Sequence, residues 1–245
     1  MRMACGATVL KWKKILVVAA HPDDEVLGCG GTMARLAAEG ADVTVLLLGE
    51  GPLSREACRN NAHADSEHKH AFACARKAGC ALGISRVLTP LDLSFSGFPD
   101  NRFDSVPLID IVKLIERVGE KCKPDTVLTH HVGDLNIDHR ITHQAVVTAF
   151  RPLPGSSVKR ILAFEVPSSS EYSCQPFMSF IPGCYVNIEG YLEKKMAALQ
   201  EYASEMRLWP HPRSYEGIEF LARMRGAQTG VGAAESFSIL HVLIS

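Results

Sequence analysis

The stretch that decides the fold lies near the start of the chain, at residues 14–25, which read KILVVAAHPDDE. A continuous apolar run over residues 15–20 is bounded by a lysine and by a charged cluster. An unbroken run of this kind is typical of a strand that is buried on both faces of a parallel sheet. Apolar residues then recur at helical spacing over residues 25–39, and Gly40 stands where a helix commonly ends. The stretch therefore predicts a strand, a polar turn and a helix.

Strand and helix patterns alternate through most of the chain, which is typical of an α/β doubly wound sheet. We predict a single-domain, Rossmann-like fold with a mostly parallel sheet whose strand order begins 3-2-1-4. Residues 1–13 are predicted to form an N-terminal tail, which is either disordered or the product of an upstream start, and residues 14–245 are predicted to form the domain. The predicted strands cover residues 14–20, 42–48, 86–91, 124–130, 160–166, 185–188 and 237–244. The predicted helices cover residues 25–39, 64–82, 106–121, 139–150, 191–205 and 215–225.

The composition is that of an ordinary globular protein. Of the 245 residues, 47% are hydrophobic and 22% are charged, which excludes intrinsic disorder. The net charge of -1 leaves no basic excess, so we expect no nucleic-acid partner. No apolar run approaches the roughly 18 residues of a membrane span, so no transmembrane segment is expected. The 8 cysteines form no C-x-x-C pair, and without a recognisable signal peptide they indicate reduced thiols in a cytoplasmic protein.

Polar residues follow the first and the fourth predicted strand. Asp23, Asp24 and Glu25 come within one turn after the first strand, next to His21 and without a basic neighbour. A divalent cation would remove the repulsion between these carboxylates and would use the histidine as a ligand. The second cluster covers residues 129–140. In a sheet ordered 3-2-1-4 the ends of strands one and four are neighbours, so we expect both clusters to form one site.

The glycines that follow the first cluster also raise the possibility of a dinucleotide-binding loop. That loop needs the pattern G-x-G-x-x-G, and this chain has Gly28 and Gly30 but Met33 in the third position. The preceding acidic cluster would also repel a pyrophosphate. Dinucleotide binding is therefore disfavoured.

The two clusters resemble the motifs of the LmbE/PIG-L family of zinc-dependent N-deacetylases. The first match is AHPDDE at residues 20–25 with GCGGT at residues 28–32, and the second is DLNIDHR at residues 134–140. The similarity extends in order and spacing over most of residues 14–240. This resemblance implies an LmbE-like fold and a metal-dependent hydrolase that removes an acetyl group from an N-acetylated sugar or sugar conjugate.

The resemblance also implies a set of site residues. His21, Asp24 and His139 would bind one Zn²⁺ per chain, for which Fe²⁺ or Co²⁺ can substitute. Three protein ligands leave a fourth position open, as in catalytic rather than structural zinc sites. Asp23 would be the general base, taking a proton from the attacking water and returning it to the leaving amine.

One position departs from the family pattern. Many members carry a histidine three residues before the last ligand, where this chain has Asn136, which can donate a hydrogen bond but no proton. We expect His211 to supply the missing donor to the oxyanion, with His131 or the zinc alone as alternatives. The resemblance also implies an arginine that binds the substrate, and Arg55 is the candidate, with Lys69 as a weaker one. Asn136 is predicted to bind the substrate as well.

Two other functions stay open at this point. One is a zinc amidase that cleaves a larger acyl or thiol-conjugate amide, and the other is a non-catalytic sugar-binding protein on the same fold. Loss of a ligand or of Asp23 would favour the second, and none of these residues is lost. The expected partner is a small N-acetyl sugar or conjugate, and the choice between a monomer and a homo-oligomer is left open.

Overall fold

The computed structural model describes residues 11–50, 61–173 and 178–244 of the chain. Strands and helices alternate through these residues, as the sequence predicts. The strands are β1 (Lys14–Ala19), β2 (Asp42–Leu47), β3 (Arg86–Leu88), β4 (Thr126–His130), β5 (Arg160–Phe164), β6 (Cys184–Asn187) and β7 (Ala234–Val242). The helices are α1 (Asp24–Ala38), α2 (Asn61–Ala81), α3 (Leu108–Cys122), α4 (Ile137–Ala149), α5 (Leu192–Gln200) and α6 (Tyr215–Ala227).

The strands form one mixed sheet in the order β3-β2-β1-β4-β5-β7-β6. The first five strands along the chain pair in parallel, while β7 runs antiparallel to both β5 and β6. The prediction of a mostly parallel α/β sheet that begins 3-2-1-4 is confirmed. Because β1 and β4 are neighbours with the same direction, their carboxyl ends lie side by side at one edge of the sheet.

Helices cover both faces of the sheet around β1. Ile15, Val17 and Ala19 belong to a core cluster that also holds buried residues of α1 and α5. Leu16 and Val18 belong to a second cluster on the opposite face, together with buried residues of α3 and α4. Successive side chains of β1 therefore pack alternately into the two cores on opposite faces of the sheet. Because both faces are buried, the run of apolar residues is unbroken.

Several boundaries differ from the sequence prediction. Helix α5 ends at Gln200 and is followed by turns, whereas the pattern predicted a helix to residue 205. Strand β7 starts at Ala234, three residues before the predicted start, because its buried Glu235 and Ser236 interrupt the apolar pattern. Trp12, inside the predicted tail, packs against the core, and the tail boundary at residue 13 stays a prediction.

Helix α1 is interrupted near its start. Cys29 has φ -146° and ψ 24°, which divides the helix into a short first segment and a longer second one. A side chain at position 28 would collide with the Phe164 ring, and a Cβ at Gly31 would lie 2.7 Å from Ile188 Cδ1. The glycines of the motif therefore allow the sheet and the segment after β6 to approach this helix closely. Among the described helices, none is long and apolar enough to cross a membrane.

Candidate metal centre

The turn between β1 and α1 meets the start of α4 at the carboxyl edge of the sheet. One ligand atom from each of His21, Asp24 and His139 lies within 4.8 Å of the other two. Asp24 Oδ2 is 3.2 Å from His21 Nδ1 and 3.2 Å from His139 Nε2. The structure thus brings together the three residues predicted as ligands, although their binding of a metal stays a prediction.

Each of the two histidines has a carboxylate behind it. His21 Nε2 lies 2.9 Å from Asp138 Oδ2, and His139 Nδ1 lies 3.1 Å from Asp134 Oδ2. Histidines that bind metals commonly have such a partner on the second ring nitrogen, which fixes the tautomer and the ring orientation. Both rings therefore direct their other nitrogen toward Asp24.

The two supporting carboxylates are themselves held in place. Asp134 accepts hydrogen bonds from the hydroxyl groups of Ser169 and Ser170, the second at 2.8 Å. Burial acts to raise the pKa of Asp134, but the charge of His139 and the hydrogen bonds from His139 and Ser169 outweigh it and lower the pKa to about 2. Asp134 is therefore ionised and can stabilise positive charge on or beyond the His139 ring.

Asp138 is held by backbone groups of the loop before α3. It accepts the N–H of Asn101 at 2.6 Å and the N–H of Phe103 at 2.9 Å. Asp138 thus supports the ring of His21 and not that of its neighbour in the chain, His139. The carboxylate behind His139 is Asp134, which the sequence placed in the second cluster without a role.

His130, at the end of β4, supports His139 from another side. The two rings stack with centroids 3.9 Å apart and an interplanar angle of 22°. His130 Nε2 accepts the N–H of Ala20 at 2.9 Å, which joins the ends of β4 and β1. Burial lowers the pKa of His130 well below its ordinary value, so this ring stays neutral beside the ligand cluster.

The cluster leaves a buried carboxylate oxygen unpaired. Asp24 is fully buried, and within the described residues its Oδ1 has no hydrogen-bond partner. Burial acts to raise the pKa of Asp24, but the charge of His139 and the hydrogen bonds from His139 and His21 hold this pKa well below its ordinary value, so the group is ionised. A buried carboxylate oxygen without a hydrogen-bond partner is unfavourable, and a bound cation would compensate it. Two imidazoles and one carboxylate are ligands that suit Zn²⁺ and Fe²⁺ or Co²⁺, so the residues fit a metal.

Asp23 lies beside this cluster in an uncommon backbone conformation. Its φ of 112° lies in a region that residues other than glycine rarely adopt. Its N–H donates to Glu25 Oε2 at 3.1 Å, and its Oδ2 accepts from Arg213 Nη1 at 2.9 Å. Burial raises the pKa of Asp23 to about 7, although Arg213 acts in the opposite direction. A carboxylate with a pKa near neutrality suits a general base.

Glu25 links Asp23 to the segment after α5. The hydroxyl group of Tyr202 donates to Glu25 Oε1 at 2.6 Å, and both side chains are buried. Burial raises the pKa of Glu25 to about 8. Sequence reasoning did not find Tyr202, because its aromatic ring fits an ordinary core position and nothing in the sequence relates it to residue 25.

Arg213 is the other site residue that sequence reasoning missed. Besides Asp23, it binds Ser168 through Nε at 2.8 Å, so one guanidinium joins two loops at the site. The backbone N–H of Arg213 donates to His211 Nδ1 at 3.0 Å. The predicted residue His211 therefore belongs to the loop that delivers Arg213 to Asp23. The sequence did point to this loop, but it selected the histidine between two prolines rather than the arginine.

The remaining predicted residues have other contacts. His131 is buried, donates from Nε2 to Met178 O at 2.7 Å and meets the Phe180 ring edge-on. Asn136 begins α4 as its N-cap, with Oδ1 accepting the N–H of residue 138 at 2.8 Å and Nδ2 donating to residue 101 at 3.3 Å. Arg55 lies outside the described residues, and Lys69 is exposed on α2. The roles given to His131, Asn136, His211 and Arg55 stay predictions.

Comparison with known proteins identifies relatives of this chain. The family described as PIG-L, GlcNAc-PI de-N-acetylase, matches residues 16–150. A relative from Rhodococcus erythropolis (strain PR4) is named 1D-myo-inositol 2-acetamido-2-deoxy-alpha-D-glucopyranoside deacetylase. It is 30% identical over 224 residues, which cover 84% of this chain and 72% of the relative.

Two solved structures share the fold. The conserved protein TT1542 from Thermus thermophilus has 26% sequence identity and a TM-score of 0.71, over 95% of this chain and 97% of that one. GalB from Pseudomonas putida KT2440, described as a 4-carboxy-2-hydroxymuconate hydratase, has 22% identity and a TM-score of 0.71, over 95% and 98% of the two chains. Because a hydratase has this fold, the fold alone does not determine the reaction.

Proposed function

The chain belongs to the PIG-L family of GlcNAc-PI de-N-acetylases, and we propose from this membership that it is a metal-dependent hydrolase. The proposed reaction removes an acetyl group from an N-acetylated sugar or sugar conjugate. The observation that carries the proposal is the cluster of His21, Asp24 and His139, in which a buried carboxylate oxygen is unpaired and each histidine has a carboxylate behind it. We assign one Zn²⁺ per chain to this cluster, replaceable by Fe²⁺ or Co²⁺.

The metal and Asp23 would divide the chemistry between them. Bound at this position, Zn²⁺ supplies a Lewis acid that polarises the amide carbonyl and lowers the pKa of water. Asp23 is adjacent in sequence to the ligand Asp24, and Arg213 engages its Oδ2. We propose that Asp23 Oδ1 takes a proton from the attacking water. The same carboxyl group then returns this proton to the amine as the C–N bond breaks.

The oxyanion of the tetrahedral intermediate needs a donor besides the metal. Asn136 is used as a helix cap, and the described partners of His131 are the Met178 carbonyl and the Phe180 ring. His211 Nδ1 accepts the N–H of Arg213, so a protonated Nε2 would remain for the substrate. We therefore keep His211 as the proposed donor and His131 as the alternative.

Acetate release tests the proposed reaction directly. Protein loaded with Zn²⁺ is incubated with N-acetyl sugars that are free, inositol-linked, nucleotide-linked or lipid-linked, and acetate is measured enzymatically. We expect release from at least one class, loss of release after treatment with a chelator and recovery when Zn²⁺ is added. Matched substrates with longer N-acyl groups distinguish a deacetylase from an amidase of larger acyl amides. No acetate from any substrate would contradict the proposed reaction, and full activity without metal would contradict the metal assignment.

His211→Ala is expected to lower kcat/KM at least tenfold without release of metal, because one preorganised donor to an oxyanion contributes about 10²–10³-fold to the rate. His131→Ala should have a smaller effect. Steady-state kinetics and metal content check both variants. His211→Asn is the matched control, since its side-chain oxygen can still accept the N–H of Arg213. If His211 only holds the loop, the asparagine variant should recover activity; near-normal kinetics in the alanine variant would move the role elsewhere.

A further inference from the structure

A buried ion pair occupies the interruption in α1. Lys195 comes from α5 and Glu235 comes from β7, and their side chains are each only 4% exposed. Lys195 Nζ lies 2.6 Å from Glu235 Oε1. We call these two residues the kink pair. They are separate from the proposed ligands and from Asp23, and the proposed reaction gives them no role.

The kink pair replaces the backbone hydrogen bonds that the interruption removes. In an unbroken helix the N–H of Gly31 would donate to the carbonyl of Leu27, four residues earlier. Here the Gly31 N–H donates to Glu235 Oε1 at 3.0 Å, and Lys195 Nζ donates to Leu27 O at 2.8 Å. The N–H of Thr32 donates to Glu235 Oε2 at 2.6 Å. The pair therefore provides hydrogen-bond partners for the last carbonyl of the first helical segment and for the first N–H groups of the second.

The glycines of the motif make room for this arrangement. A Cβ at Gly30 would lie 3.4 Å from Lys195 Cγ and 3.0 Å from Val26 Cγ1. At Gly31 the neighbour is Ile188, so the two glycines let Lys195 and the segment after β6 pack close to the break. The glycine-rich part of the sequence motif thus fits a helix break that is stabilised by side chains of other elements. It does not form a loop that binds phosphate.

The first helical segment carries the reactive carboxylates. Leu27 connects the kink pair to them, because its carbonyl accepts from Lys195 while its N–H donates to Asp23 O at 2.9 Å. A single residue therefore lies between the kink pair and the proposed base. Asp24 is the first residue of the same segment, so a shift of Leu27 would move both carboxylates relative to His139, which belongs to α4.

Stability alone is a weak reason for a pair of buried charges. The loss of hydration on burial commonly offsets the attraction between them, and apolar residues of similar volume often serve as well. What apolar residues could not do here is donate to the Leu27 carbonyl and accept from Gly31 and Thr32. The chemistry of the pair therefore matches the backbone groups exposed by the break.

We propose that Lys195 and Glu235 are positioning residues that hold the break in α1 and thereby fix Asp23 and Asp24 against the ligands from the rest of the chain. The proposal rests on the proposed function, in which Asp24 binds the metal. Its consequence is that removal of either member weakens metal binding in a protein that is still folded.

The test is the affinity for Co²⁺ in Glu235→Gln and Lys195→Met, measured by competition with a chelator. Glu235→Gln keeps the shape of the side chain but turns one acceptor into a donor that faces another donor. We expect both variants to bind Co²⁺ at least tenfold more weakly, on the scale of the 10–100-fold losses seen when groups behind metal ligands are removed. The visible absorption of bound Co²⁺ should change as well, since it reports the geometry around the ion. Glu235→Asp replaces Glu235→Gln if the glutamine variant does not fold.

Arg160→Met is the matched control. Arg160 is buried and pairs with Asp125 at 3.2 Å, where β5 begins, at the end of the sheet opposite the proposed site. This variant should lose thermal stability but bind Co²⁺ as the unmodified protein does. The proposal is overturned if the kink-pair variants keep normal affinity, or if Arg160→Met weakens binding as much as they do. If the unmodified protein binds no metal at all, the proposed function fails instead, so the two failures are distinguishable.

Discussion

Asp24→Ala is expected to remove the metal from the protein and to lower hydrolysis to the level of the blank. Asp24 is the only carboxylate among the three proposed ligands, and its Oδ2 lies 3.2 Å from a nitrogen of each of the other two. Alanine leaves two imidazoles without an anionic partner between them. Metal content after dialysis, measured by mass spectrometry, and the rate of acetate release check this prediction.

Asp110→Ala, at an exposed aspartate in the first turn of α3, is the control for loss of a carboxylate that belongs to neither polar cluster. It should keep the metal and the activity. Asp24→Ala also removes the acceptor of the His21 backbone N–H, so its circular dichroism and melting temperature are compared with those of the unmodified protein. One equivalent of tightly bound zinc in that variant would show that the assignment of Asp24 as a ligand is wrong.

Asp23→Asn is expected to keep the metal and to lose turnover by about 10²–10⁴-fold, the range typical of a general acid–base group. Asparagine has the shape of aspartate and its oxygen can still accept from Arg213, so the backbone and the loop should keep their positions. It cannot take up a proton at neutral pH. The loss should therefore appear in kcat, with little change in metal content.

The two neighbouring aspartates are thus predicted to differ in kind. Metal titration and single-turnover kinetics on both variants separate a ligand from a base. Equal metal retention and equal loss of activity in Asp24→Ala and Asp23→Asn would contradict this division of roles. Loss of metal in Asp23→Asn would instead mean that Asp23 acts on the ligand cluster itself.

The sequence predicted the fold well where the information is local. The unbroken run over residues 15–20 indicated a strand covered on both faces, and β1 indeed contributes to two separate cores. The order 3-2-1-4 followed from a common rule for doubly wound sheets, and that order alone placed the two polar clusters at one edge. The position and antiparallel direction of β7 could not be inferred from the sequence. They depend on contacts between residues that are far apart in the chain, and the local pattern does not describe such contacts.

The parts of the site that the sequence did not predict are contacts between distant residues. Arg213 reaches Asp23 across 190 positions, and Tyr202 reaches Glu25 across 177. Helical and strand periodicity describes which residues share a face, so it carries no information about such pairs. Lys195 and Glu235 were missed for a related reason, since single charged residues in amphipathic segments ordinarily point to solvent.

The division between ligands and supports along the chain bears on how the protein is made. All three proposed ligands precede residue 150, whereas the serines that hold Asp134, the kink pair, Tyr202 and Arg213 follow it. A nascent chain that had formed only β1 to β4 and α4 would contain every ligand and none of these supports. Tight metal uptake should then begin only after β7 has been made and pairs with β5.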